Sequence, residues 1–94
     1  MKKNIITEDK LNKYLELTKK SLEIVKKNVN KNKVKDSKEI IEMASNYLSD
    51  AIHFKINEDY VNSFAAINYA HGWIDSGVRL GIFNVKDNKL FTVK

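Results

Sequence analysis

The 94-residue chain contains no Cys, which removes disulfide scaffolds, thiol catalysis and thiolate zinc or iron–sulfur sites together. An intracellular setting fits that absence. Pro is also missing and Gly occurs only three times, so nothing in the composition forces frequent breaks, and long helices are favoured. Arg appears once, at position 79. Long apolar runs are missing too. No window approaches the 18 or so uncharged residues of a membrane span, and the opening Met1-Lys2-Lys3-Asn4-Ile5-Ile6-Thr7 lacks the apolar stretch of a secretory signal. A cytoplasmic protein with no membrane partner is expected. The length allows one domain covering residues 1–94, and the 43% apolar content supports a small core with little room for an enclosed cofactor. No cofactor is expected.

Charge is present and unevenly placed. Residues 1–38 carry twelve Lys against five acidic side chains, a net charge of +7, while residues 39–94 carry five basic against seven acidic side chains, a net of −2. The densest run contains Lys26, Lys27, Lys31, Lys33, Lys35 and Lys38, with Asp36 its one acid. Such a run can attract RNA or another polyphosphate. It holds no Arg fork and no aromatic platform, however, so nonspecific, weak anion binding is the most it implies. A solvated linker accounts for it as well, since the chain also holds eleven Asn and this stretch lacks apolar periodicity.

Apolar spacing predicts three helices. Thr7 reads as an N-cap with Glu8 and Asp9 in the first turn, where the helix dipole favours anions. Leu11, Leu15, Thr18, Leu22, Val25 and Val29 then recur at alternating intervals of four and three, predicting a helix over about 8–29. Asp36 followed by Glu39 resembles a capping box and predicts a second helix over about 37–56, with Ile40, Ala44, Tyr47, Ala51 and Phe54 as its stripe. The short polar Asn57-Glu58-Asp59 turns the chain back into a third helix, about 59–80. This helix carries two stripes, one through Tyr60, Phe64, Ile67, His71, Ile74 and Val78, the other through Ala66, Ala70, Trp73, Gly77 and Leu80. Two stripes require two neighbours. The expected fold is therefore an all-α, three-helix up-down-up bundle, ended by Gly81 and followed by a short extended or hairpin tail over 82–94.

Chemistry-bearing candidates concentrate between Asn68 and Gly81. Gly72 and Gly77 inside a helix each cost about 1 kcal/mol relative to Ala, and close helix approach beside Trp73 is the expected compensation. Trp73 itself is expected to be largely buried. His71 precedes Asp75 by one turn, a spacing that can orient an imidazole for catalysis or metal binding. Arg79 follows Asp75 at the same interval and would already engage that carboxylate, so a structural role outweighs a catalytic one. No phosphate loop, His-Glu-x-x-His or nucleophile triad order is present. His53 and His71 fall too far apart along antiparallel helices to share an ion, so no metal site is expected. No catalytic residue is assigned, and the candidate binding residues are Asn68, Trp73, Asp75 and Arg79.

The stretch Tyr69-Ala70-His71-Gly72-Trp73-Ile74-Asp75-Ser76-Gly77-Val78-Arg79-Leu80-Gly81-Ile82-Phe83 resembles the C-terminal signature of domain-of-unknown-function family 357, short archaeal proteins. Tyr47-Leu48-Ser49-Asp50-Ala51 and Asp59-Tyr60 are similar to its pattern as well, so the resemblance spans about residues 8–83. It implies a small helical bundle from an archaeal cytoplasm and supplies no catalytic residues. His71 falls on a variable position of that signature. Tetratricopeptide arrays also use Tyr- and Ala-rich helix pairs, but they need repeated copies, and this chain has one.

The combined expectation is a non-catalytic interaction or accessory module, with a protein partner or a second copy of itself. Weak RNA or polyphosphate binding through Lys26–Lys38 is the alternative. A small-ligand or enzyme site around Trp73, Asp75 and Arg79 ranks third.

Overall fold

Thr7 caps the first helix as its side chain predicts, accepting a hydrogen bond from the Lys10 N–H at 3.1 Å. The computed structural model describes residues 5–86. Within them the chain forms α1 (Glu8–Lys26), α2 (Val34–Ile56) and α3 (Tyr60–Arg79), with a one-turn 3₁₀ segment at Lys31–Lys33 between α1 and α2. The all-α three-helix bundle expected from the stripes is the fold observed.

Two boundaries differ from expectation. α1 stops at Lys26 rather than near 29, because Asn28, Val29 and Asn30 turn their backbone outward to meet the chain beyond α3. Val29 forms an antiparallel bridge with Phe83, the Asn30 N–H donates to the Ile82 carbonyl at 2.9 Å, and the Asn84 N–H donates to the Asn28 carbonyl at 2.7 Å. α2 starts at Val34, so Asp36 lies inside its first turn and is not the N-cap of a capping box. The preceding 3₁₀ turn, held by Asn30, carries the chain directly into the helix. The basic stretch is therefore mostly helical and not a linker: Lys26 ends α1, Lys27 caps it, Lys31 and Lys33 lie in the 3₁₀ turn, and Lys35 and Lys38 belong to α2.

The tail, expected as extended or a hairpin, lies mostly outside the described residues. Residues 82–85 lie against the bundle, with Ile82 and Phe83 buried, while the Lys86-Asp87-Asn88-Lys89 turn of the expected hairpin extends outside the described residues. Gly81 takes φ +75°, the left-handed conformation that ends a helix. Its N–H reaches the Val78 carbonyl and the Ile82 N–H reaches the Gly77 carbonyl, closing a Schellman motif that aims Phe83 back at α3.

α2 and α3 pack antiparallel with small residues at the seam. Ala44 and Ala51 of α2 and Ser63, Ala66 and Ala70 of α3 are buried, and the Ser63 hydroxyl donates to the Ala51 carbonyl at 2.7 Å. α1 covers one side of this pair through Leu11, Leu15, Thr18, Leu22 and Val25, and Tyr14 meets Phe64 edge-to-face at 5.1 Å. The centre of the α2 stripe is Ile40, Ala44, Leu48 and Ala51; Tyr47 and Phe54, expected in it, are only half-buried on its flank.

The α2–α3 turn stores a small strain. Glu58 adopts φ 59°, with its N–H bonded to the Lys55 carbonyl and the Asp59 N–H bonded to the Phe54 carbonyl. This is the same motif as at Gly81, but with a side chain where Gly is preferred. Glu58→Gly is expected to raise stability by up to about 1 kcal/mol, or about 4–8 °C in Tm. Thermal unfolding checks it; an unchanged or lower Tm would show that Glu58 makes compensating contacts.

Candidate functional site

The helical wheel of α3 sorts its residues into three faces. At 100° per residue, the buried Ser63, Ala66, Ile67, Ala70, Ile74 and Gly77 form the face toward the core. Phe64 lies on the flank that meets α1. Trp73, nine residues on, projects about 180° away from Phe64. Of the second apolar stripe, Ala66, Ala70 and Gly77 are buried in the core, while Trp73 and Leu80 point where no described helix covers them.

Two adjoining grooves mark that side. The first, about 340 Å³, is lined by Tyr69, Gly72, Trp73 and Ser76. The second, about 180 Å³, runs along the α2–α3 seam and is lined by Tyr47, Asp50, Phe54, Asn62, Ala65, Ala66 and Tyr69. Tyr69 borders both, is 62% exposed, and stacks on Tyr47 with ring centroids 5.2 Å apart at 25°. Trp73 is half-buried at the rim and not enclosed between helices, contrary to the expectation from its stripe.

The two helical glycines separate in the same way. A Cβ on Gly77 would lie 2.5 Å from Phe83 Cε2 and 3.1 Å from Ile40 Cδ1, so close packing explains this glycine. A Cβ on Gly72 would meet nothing within 4 Å. Packing therefore does not account for Gly72; its missing side chain is what opens the floor of the groove.

The residues singled out as a binding set do not converge. Asn68, Asp75 and Arg79 share one exposed-to-half-buried stripe of α3, whereas Trp73 is about 160° from Asp75 around the helix. Arg79 Nε donates to Asp75 Oδ2 at 2.9 Å, with the Arg side chain 77% exposed and the Asp 30% exposed. A pair this open contributes about 0.3–0.5 kcal/mol. Neither of the two grooves includes Asp75 or Arg79.

His71 lies half-buried on the α1 side of α3. Burial of the ring holds its pKa below the usual 6.5, and the Asp75 carboxylate opposes that shift. A depressed His pKa means the folded state favours neutral imidazole, so its contribution is complete above about 6.5 and is lost as pH falls toward the folded value. Denaturant titrations should show stability declining as pH drops through 6.5, with the slope reduced in His71→Gln. Equal slopes in the two proteins would remove His71 as the cause. Among the described residues, no group of three or more His, Cys, Asp or Glu is placed to hold a metal ion.

All six Lys of the basic stretch are exposed. The fold adds Lys86 and the C-terminal end of α3 with Arg79 to the same pole, through the backbone bonds between residues 28–30 and 81–84. Lys26 is partly neutralised by Glu23 at 3.5 Å.

Tyr69 and Ser76 lie on neither apolar stripe of α3 and Tyr47 reads as a core residue of α2, so Gly72 and Trp73 are the groove residues that stand out in the sequence. The signal was the spacing of Tyr69, Gly72, Trp73 and Ser76, at i, i+3, i+4 and i+7, which places four residues around one point of a helix surface. The family model described as Protein of unknown function (DUF357) matches residues 13–83. No curated protein and no solved structure matches the chain.

Proposed function

The chain belongs to the DUF357 family, and from that premise, which names no reaction, we propose that it acts as a non-catalytic protein-docking module. The observation that carries this reading is the uncovered α2/α3 face opposite α1, where Tyr47, Phe54, Tyr69 and Trp73 border two grooves. Half-buried to exposed Tyr and Trp grouped around apolar hollows are the composition of interface centres, where Lys and Glu are depleted. An enzyme reading has less support, because Trp73 and the Asp75–Arg79 pair occupy different sides of α3.

A photo-crosslinking amino acid placed at Ser76, in the groove, should yield discrete adducts in the native host. The same group at the exposed Lys20 of α1 should yield far fewer. Equal adducts at both positions, or none at Ser76, would remove the docking reading.

The basic pole supports a second role in weak anion binding, because folding brings Lys86 and Arg79 to the six Lys. About five phosphate contacts would give a log–log salt slope near −4.5 on duplex DNA. Binding should be similar across sequences and largely gone at physiological salt.

A further inference from the structure

We infer that the occupant of the α2/α3 face is a second copy of this chain, paired antiparallel about a two-fold axis near Tyr69. This deepens the docking reading and rests on it. Three features select the occupant.

The first is shape. Tyr69, Gly72, Trp73 and Ser76 border the open first groove in the four-residue arrangement that receives one side chain of a facing helix in knobs-into-holes packing. The partner surface is therefore helical. Tyr69 stands between the two grooves and borders both, so a two-fold axis near it sets each copy's exposed Tyr69 beside the other's hollows. The small Ala65 and Gly72, both exposed, allow the helices to approach closely.

The second is charge. The chain carries +5, and two copies would repel if their basic poles met. Asp75 and Arg79 pair with one another on a different side of α3 from Trp73, and Asp50 is the one charged residue among those lining the two grooves. A single carboxylate offers a strongly charged foreign partner little complement. The two ends of the bundle differ in sign: Lys27, Lys31, Lys33 and Lys35 lie at one end, and Glu8, Asp9, Glu58 and Asp59 at the other. Antiparallel pairing sets each basic end beside the partner's acidic end, which steers association and fixes orientation.

The third is size. Two 20-residue helices side by side present roughly 30 by 20 Å, the same order as the about 800 Å² that each partner of a standard interface contributes.

Gly72 makes the test clean, because a Cβ added there meets no atom within 4 Å and any residue but Pro improves helix propensity. Sedimentation of the full chain across roughly 1 to 500 µM should show a mass approaching twice 10.9 kDa. Gly72→Glu and, in the second groove, Ala65→Glu should each weaken that association by about tenfold or more while Tm extrapolated to the monomer is unchanged or higher. Lys20→Glu on α1 should leave it intact. A dimer that persists in both groove variants overturns the proposed interface. A wild-type monomer throughout the range overturns the second copy. If that monomer still crosslinks a different protein from Ser76, the docking face survives with a foreign occupant; if it crosslinks nothing, both readings fail.

Discussion

Phe83→Ala is expected to cost about 3–5 kcal/mol, the usual loss on truncating a buried aromatic, although the residue lies beyond the last helix. Phe83 is 2% exposed and heads the largest fully buried side chains of the chain. Its ring packs on the bare backbone of Gly77, in the same core cluster as Ile40 of α2, while its backbone bridges Val29 in the segment that leaves α1. One residue thus ties the end of α3 to the chain between α1 and α2. Small domains are typically stable by about 5–15 kcal/mol, so this loss would remove a large fraction of the total and lower Tm by well over 10 °C. Urea unfolding followed by circular dichroism measures it. A loss below about 1 kcal/mol would mean that the 82–85 segment decorates the bundle rather than locks it. The family match ends at Phe83, the residue at which this lock closes.

The fold was legible where the physics is local. The stripe through Leu11, Leu15, Leu22 and Val25, the Thr7 cap and the left-handed Gly81 follow from spacing and backbone preference, and each forms as read. Val29 continues that stripe in register, yet it leaves the helix because Phe83, 54 positions away, competes for its backbone. That contact is invisible to a window of one or two turns. α2 begins without a side-chain cap, so no cap residue announced it. The stripes of α3 misled in a more useful way. A hydrophobic pattern states that a face needs covering without stating by what, and Trp73 and Leu80 satisfy the pattern of a packed helix while α1 lies on the opposite side. The candidate site was partly legible for the same reason. Trp73 and the Gly72 anomaly were identifiable in the sequence, but only the register of α2 on α3 brings Tyr47 onto Tyr69.

The two glycines of α3 provide an internal control on that packing, and they are expected to respond to Ala with opposite signs. Ala in place of a helical Gly ordinarily gains about 1 kcal/mol. Gly72→Ala should realise that gain, because its Cβ enters open space. At Gly77 the added Cβ lies 2.5 and 2.8 Å from two carbons of the Phe83 ring, and a buried ring pinned at its backbone has no free direction in which to yield. Overpacking of this kind costs about 1–3 kcal/mol beyond the ordinary gain, so Gly77→Ala should destabilise the protein. The cause is separable by a double-mutant cycle. With Phe83 already cut to Ala the obstruction is gone, and Gly77→Ala in that background should become neutral or stabilising, an interaction energy of about 1–3 kcal/mol between the two sites. Equilibrium unfolding of the four proteins supplies the cycle. Additive effects would show that Gly77 and Phe83 do not constrain one another, and a stabilised Gly77→Ala single variant would remove close packing as the reason a glycine stands in the last turn of α3.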